Sequence, residues 1–229
     1  MLYPIGSPPA VPEIVLLKIS RGFNKKGMTA KERNSGSERF GVDLQEMAQA
    51  YLVNDSMNQL FLKHLSGRAW RAKLPDQKGR TIADVFAHVH NIRRKWLRLS
   101  APHLKLPAQL DRRRCTLEQA QAALAESALR CSEMLSQAVT VPQGRARSFV
   151  RDGWAPPWRP GAAMFAYMIS HDAHHRGQVC MLAHQLGFRL PLAVTSRMWG
   201  WEKLYKKMGF DLVERSFSQL RNRPQDSKG

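Results

Sequence analysis

The stretch Ser170-His171-Asp172-Ala173-His174-His175-Arg176-Gly177-Gln178 decides how this chain is read. It sits inside a run from Pro160 to Gly187 whose apolar residues recur at helical spacing. His171 and His175 are four residues apart, and such residues lie one turn apart on one helix face. At about 100° per residue, Met164, Met168, His175, Gln178 and Leu182 fall within roughly 60° of His171. The two histidines therefore belong to the apolar stripe, with His174 at its edge. Three of the eight histidines fall within five positions, and two imidazoles one turn apart can share a divalent metal. Pro160 suits a first helical turn. Gly187 reads as a left-handed C-cap, with Pro191 soon after.

Working outward, three more long helices emerge. Leu44, Met47, Ala48, Tyr51, Leu52, Met57, Leu60, Phe61 and His64 recur mostly every three or four residues, which predicts a first helix of about 22 residues. A second is predicted from Thr81 to Leu99, with Thr81 as N-cap and Asp84 three residues on. A third runs from near Thr116 to near Ala138, and a shorter one from Thr195 to Met208, stopped by Gly209. No alternating strand pattern and no fixed-period repeat is present. The expected fold is all-α: a four-helix bundle with a long crossover connection, plus a short C-terminal helix. Residues 1–40 have the composition of a disordered extension, within which Met28 is a second candidate start. The bundle is expected over residues 41–192, a C-terminal helical segment over 193–212, and a disordered basic tail over 213–229.

The second helix adds a histidine. Val85, His88, Ile92 and Leu99 share a face, whereas His90 projects nearly opposite, toward Arg94 and the expected surface. His88, His171 and His175 then form an inward set from two helices. Three protein ligands leave positions open for water or substrate, the mark of a catalytic metal site. Cys180 projects about 140° from His175 and cannot close the set. A histidine on an apolar stripe can equally be a hydrogen-bonded core residue, and imidazole suits several metals alike. Zn and Ni are expected first, with Fe, Mn and Cu also compatible. His174 and Gln178 are candidate supports for the ligands, since a ligating imidazole usually donates its other N–H to a neighbour. Asp172 projects about 100° from His171 and is the weaker candidate for that role.

The string Met168–Val179, together with Val85-Phe86-Ala87-His88-Val89-His90-Asn91-Ile92, resembles the DinB/YfiT-like family. That family pairs a histidine on its second helix with H-x-x-x-H on its fourth, the second histidine opening an H-R-G-Q string. The resemblance covers roughly Asp43 to Leu190. It implies a four-helix bundle with one long crossover, a divalent metal on His88, His171 and His175, and a homodimer. Some members use low-molecular-weight thiols as transferases or isomerases, and many have no assigned reaction.

Composition bounds the rest. The chain has 229 residues, 43% of them apolar, and no apolar run near the roughly 20 residues of a membrane span. The patch Val11–Leu17 is too short and lacks the basic flank of a signal peptide, so a cytoplasmic protein without a membrane partner is expected. Three cysteines, 115, 131 and 180, form no C-x-x-C and are expected as free thiols. Lys and Arg total 36 against 18 acids, for a net charge of +18, and the segment Gly67–Arg114 holds thirteen basic residues and three acids. Such a surface attracts anions. An anionic thiol cosubstrate fits, its carboxylates held by Arg176 or by Arg93-Arg94-Lys95, although that run also reads as a solvated helix face. Two alternatives remain. His171-Asp172-x-x-His175 is one methylene short of a zinc-protease motif with an acidic general base. The basic surface also suits nonspecific nucleic-acid binding, although no helix-turn-helix, zinc-finger or RNA-recognition motif is visible.

Overall fold

The computed structural model describes residues 44–74, 79–139 and 148–209. The expected N-terminal extension, with Met28, and the expected basic tail lie outside the described residues. Residues 42–205 form one compact unit; the second unit, residues 1–41 and 206–229, is described only at 206–209. The elements are α1 (Leu44–His64), α2 (Gly67–Arg71), α3 (Ile82–Ser100), α4 (Leu117–Val139), α5 (Ala162–Gln185), α6 (Leu192–Thr195), a 3-10 turn (Ser196–Trp199) and α7 (Trp201–Lys207). Among the described residues there is no β-strand; Phe149 and Trp158 form an isolated antiparallel bridge with reciprocal 2.9 Å hydrogen bonds.

The helix ends follow the local chemistry. Thr81 and Asp84 form a full capping box: the Asp84 amide donates to Thr81 Oγ1 at 3.1 Å, and the Thr81 amide to Asp84 Oδ2 at 2.9 Å. Thr116 and Gln119 exchange the same pair of bonds at the mouth of α4. At the end of α5 the Phe188 amide reaches Ala183 O and the Gly187 amide reaches His184 O. This Schellman closure needs a left-handed residue, and Gly187 supplies it at φ 78°. The start of α5 departs from expectation: the helix begins at Ala162, with Pro160 outside it. The single helix expected from Thr195 to Met208 is broken. Gly200 separates the 3-10 turn from α7, so two short pieces replace one.

The four long helices pack as a ring in which α1 neighbours α4 and α5, and α3 neighbours the same two. Two apolar clusters give the helix directions. One joins Phe61, Val85, Leu124 and Val179; the other joins Ala48, Trp96, Cys131 and Met168. Hence α1 and α5 run one way and α3 and α4 the other. Two parallel helices need a connection that returns along the bundle, and residues 101–116 are that crossover. α3 fastens it: His90 Nε2 lies 2.8 Å from Ala108 O, Asn91 Nδ2 donates to Leu110 O at 3.0 Å, and Arg94 Nε donates to Pro107 O at 2.6 Å. The crossover corrects the expectation for His90. The face opposite the bundle is not solvent here, and His90 is fully buried.

Between the two apolar clusters lies a charged layer that ties all four helices together. Arg93 of α3 is fully buried and donates to Asp55 of α1 at 2.7 Å, to the Leu124 carbonyl of α4 at 3.1 Å, and to Asp172 of α5 at 2.5 Å. Asn54 also donates to Asp172, at 2.8 Å. Arg176 donates to Asn54 O and Asn58 Oδ1. Two of the expected substrate-binding arginines are therefore core residues. Arg93 is not on a solvated face, and Arg176 is buried against α1, where no ligand carboxylate reaches it. Burial alone would raise the Asp172 carboxyl, but the Arg93 guanidinium, the His171 contact and Arg176 hold it well below the usual carboxylate range.

Candidate metal centre

α3 and α5 run antiparallel, and their facing sides bring His88, His171 and His175 together. One ring nitrogen from each lies within 4.8 Å of the other two. Ring centroids are 4.5 Å apart for His171–His175, 4.7 Å for His88–His175 and 5.5 Å for His88–His171. Among the described residues no other group of His, Cys, Asp or Glu converges in this way. The cluster forms part of the wall of a cavity of ≈ 690 Å³. Trp96 packs edge-on against His171 at 5.1 Å, closing one side.

His175 is held from behind. His175 Nδ1 lies 2.8 Å from Gln178 Oε1, and Gln178 Nε2 lies 2.9 Å from His174 Nε2. With the amide so oriented, His175 carries its proton on Nδ1 and leaves Nε2 free. Gln178 thus touches a cluster histidine directly, and His174 reaches it through Gln178. His171 Nδ1 lies 3.5 Å from Asp172 Oδ1. Both atoms are buried and neither makes a hydrogen bond of good geometry. Asp172, the weaker candidate by projection, is therefore beside His171 after all: the carboxylate bends back along its own turn, which a Cα projection cannot show.

Electrostatics favours neutral rings at His88 and His175. Burial, followed by the neighbouring histidines, pushes His88 down to about 4. His175 is also pushed down to about 4, by burial first; the Gln178 bond acts in the opposite sense, and His171 and His174 add to the lowering. A ligating imidazole must be unprotonated, so these two are ready at neutral pH. The donor set fits a borderline divalent ion: three imidazole nitrogens, no thiolate, no carboxylate, and an open side toward the cavity. The three cysteines are free thiols. Cys115 and Cys131 are buried and Cys180 is partly so; burial raises all three, Cys131 to about 12.

A model of the DinB family matches residues 37–202. The chain belongs to the DinB family. The match takes in all four long helices of this DinB-family chain and all three clustered histidines, and it ends in α7. No curated protein and no solved structure matches the chain. Membership of the DinB family and the three-histidine cluster together fit divalent-metal binding. No helix among the described residues is long and apolar enough to cross a membrane.

Sequence reasoning missed part of the surroundings. The cavity is also lined by Arg80, Arg151, Asp152 and Tyr167. Arg80 and Arg151 flank helices rather than lying within them, so no periodicity marked them. The zinc-protease alternative is overturned. Its acid, Asp172, is fully buried and bound to Arg93 and Asn54, so it does not reach the cavity to take a proton from water.

Proposed function

We propose that this protein is a metal-dependent enzyme that uses a low-molecular-weight thiol, as a transferase. His88, His171 and His175 hold zinc or nickel. The observation that carries the reading is the open side of a three-imidazole set facing a cavity large enough for small reactants. A divalent ion held there supplies Lewis acidity that favours the deprotonated form of a thiol or of water. The chain's own contribution is positioning. Gln178 fixes the tautomer of His175, Asp172 stands behind His171, and Trp96 and Tyr167 wall the cavity against bulk water. A cytoplasmic setting and a homodimer belong to the same reading. The free cysteines accord with the first, and the family resemblance motivates the second.

The test is thiol consumption by zinc- and nickel-loaded protein against a panel of small electrophiles, with glutathione as first thiol. Wild type should turn over in a thiol-dependent manner, and His88→Gln should not. Fully loaded wild type that consumes no thiol with any electrophile contradicts the transferase reading.

A further inference from the structure

The cavity is a groove between α3 and α5, and its two ends differ from its middle. Val85 and Leu182 line one end; Trp96 and Tyr167, with ring centroids 5.8 Å apart, line the other. The histidines lie between. From Val85 to Trp96 the floor runs three helical turns, about 16 Å at the α-helical rise.

Each end carries an arginine. Arg80 stands just before α3, at the Val85 end. It makes no hydrogen bond or ion pair with any described residue, and its charge bears on both His88 and His175. Arg151 stands in the segment before α5, at the Trp96 end. Its guanidinium is held in place: the central carbon lies 5.0 Å from the Trp154 ring and 5.9 Å from the Tyr167 ring, and Nε is 3.1 Å from Asp152 Oδ2. Its terminal nitrogens donate to no described residue. Asp152 is the one carboxylate among the described lining residues, and Lys95 pairs with its other oxygen. Among the described residues the groove therefore carries its cationic side chains at its two ends, with the histidine cluster between. A guanidinium with free terminal nitrogens matches a carboxylate or phosphate bidentately; Arg80 is exposed and Arg151 partly buried, so the attraction is less screened at the Arg151 end.

We propose that the groove holds two anionic reactants end to end, the acid group of one on Arg151 and that of the other on Arg80, with their uncharged ends meeting over the histidine cluster. This rests on the cluster being the reactive centre. Two short ligands placed end to end fit a floor of this length, one at each arginine. The aromatic wall beside Arg151 suits the reactant with the flatter body, and the aliphatic wall beside Arg80 suits a flexible one.

The experiment is calorimetric titration of zinc-loaded full-length protein with 3-mercaptopropionate, its neutral counterpart 3-mercaptopropionamide, and benzoate. A charge-assisted contact of ordinary strength makes 3-mercaptopropionate bind about tenfold tighter than the amide. Benzoate should still bind when 3-mercaptopropionate is saturating. Arg80→Gln should remove the acid preference of the thiol, and Arg151→Gln should weaken benzoate about tenfold, each variant leaving the other ligand unchanged. Mutual exclusion of the two acids, or affinities unaltered in both variants, overturns the proposal. Benzoate carries no thiol, so its response to Arg151→Gln is read separately from thiol chemistry. If benzoate responds and no thiol binds, the Arg151 end stands and the thiol-dependent reading fails.

Discussion

The charged layer at the middle of the bundle and the three imidazoles beside it differ in where their partners come from. Arg93 finds two carboxylates and a carbonyl on three other helices, and Arg176 finds Asn54 and Asn58. The layer's charges close on one another. The imidazoles do the opposite. Each directs a nitrogen toward the other two. A polar cluster whose ion pairs are made within the chain fixes the packing of the helices. One that converges on shared space and opens to a cavity is arranged for something from outside the chain. His171 and Asp172, adjacent in sequence, face these two regions in turn.

The largest expected effect is on the layer. Arg93→Met leaves Asp55 and Asp172 buried without their shared cation. Unfolding in denaturant should show a loss of about 3–5 kcal/mol, and unchanged stability would mean that the layer is not what joins the helices. Next, Asp55→Asn and Asp172→Asn each remove one charge facing Arg93, and both should destabilise. Only Asp172 lies against His171, so only its variant should weaken zinc binding, by about 10- to 100-fold. Equal zinc affinities would show that the two regions are independent.

Acid should affect the imidazoles first. His88 and His175 titrate near 4 when folded, against 6.5 for an ordinary histidine. The unfolded chain takes up protons more readily than the folded one between these values. Their contribution to the stability of metal-free protein is therefore complete above about pH 6.5 and lost as pH falls toward 4. A stability profile that declines over this range, and flattens in His88→Gln, is the expected result. The smallest effect is expected far from both regions. Thr81→Ala removes the α3 capping box and should cost about 1 kcal/mol in thermal or chemical unfolding, without changing bound metal. A change in metal content would mean that α3 frays as far as His88.

The imidazole cluster was legible because it obeys helical period. His88, His171 and His175 each fall on an apolar stripe, and two stripes of one bundle must face each other. The charged layer was less legible because each of its members looks like a surface residue by type. A trace was present: Arg93 continues the run Phe86, Val89 toward Leu97 at three- and four-residue steps, and Asp55 and Asn58 interrupt the stripe from Tyr51 to Leu62. Polar residues on an apolar stripe call for partners, and which ones is decided by helix pairing. His90 was misplaced for a related reason. Projection distinguishes two faces of a helix, but the crossover at 101–116 makes both faces of α3 interior. The arginines at the ends of the groove lie in connections, where periodicity carries no information.

The most direct test of the central claim is the metal content of natively purified protein, measured by elemental analysis beside His171→Ala/His175→Ala. The account predicts about one zinc or nickel per wild-type chain and none in the double variant. A wild type that is purified without metal, and takes up neither ion when it is added, would contradict it.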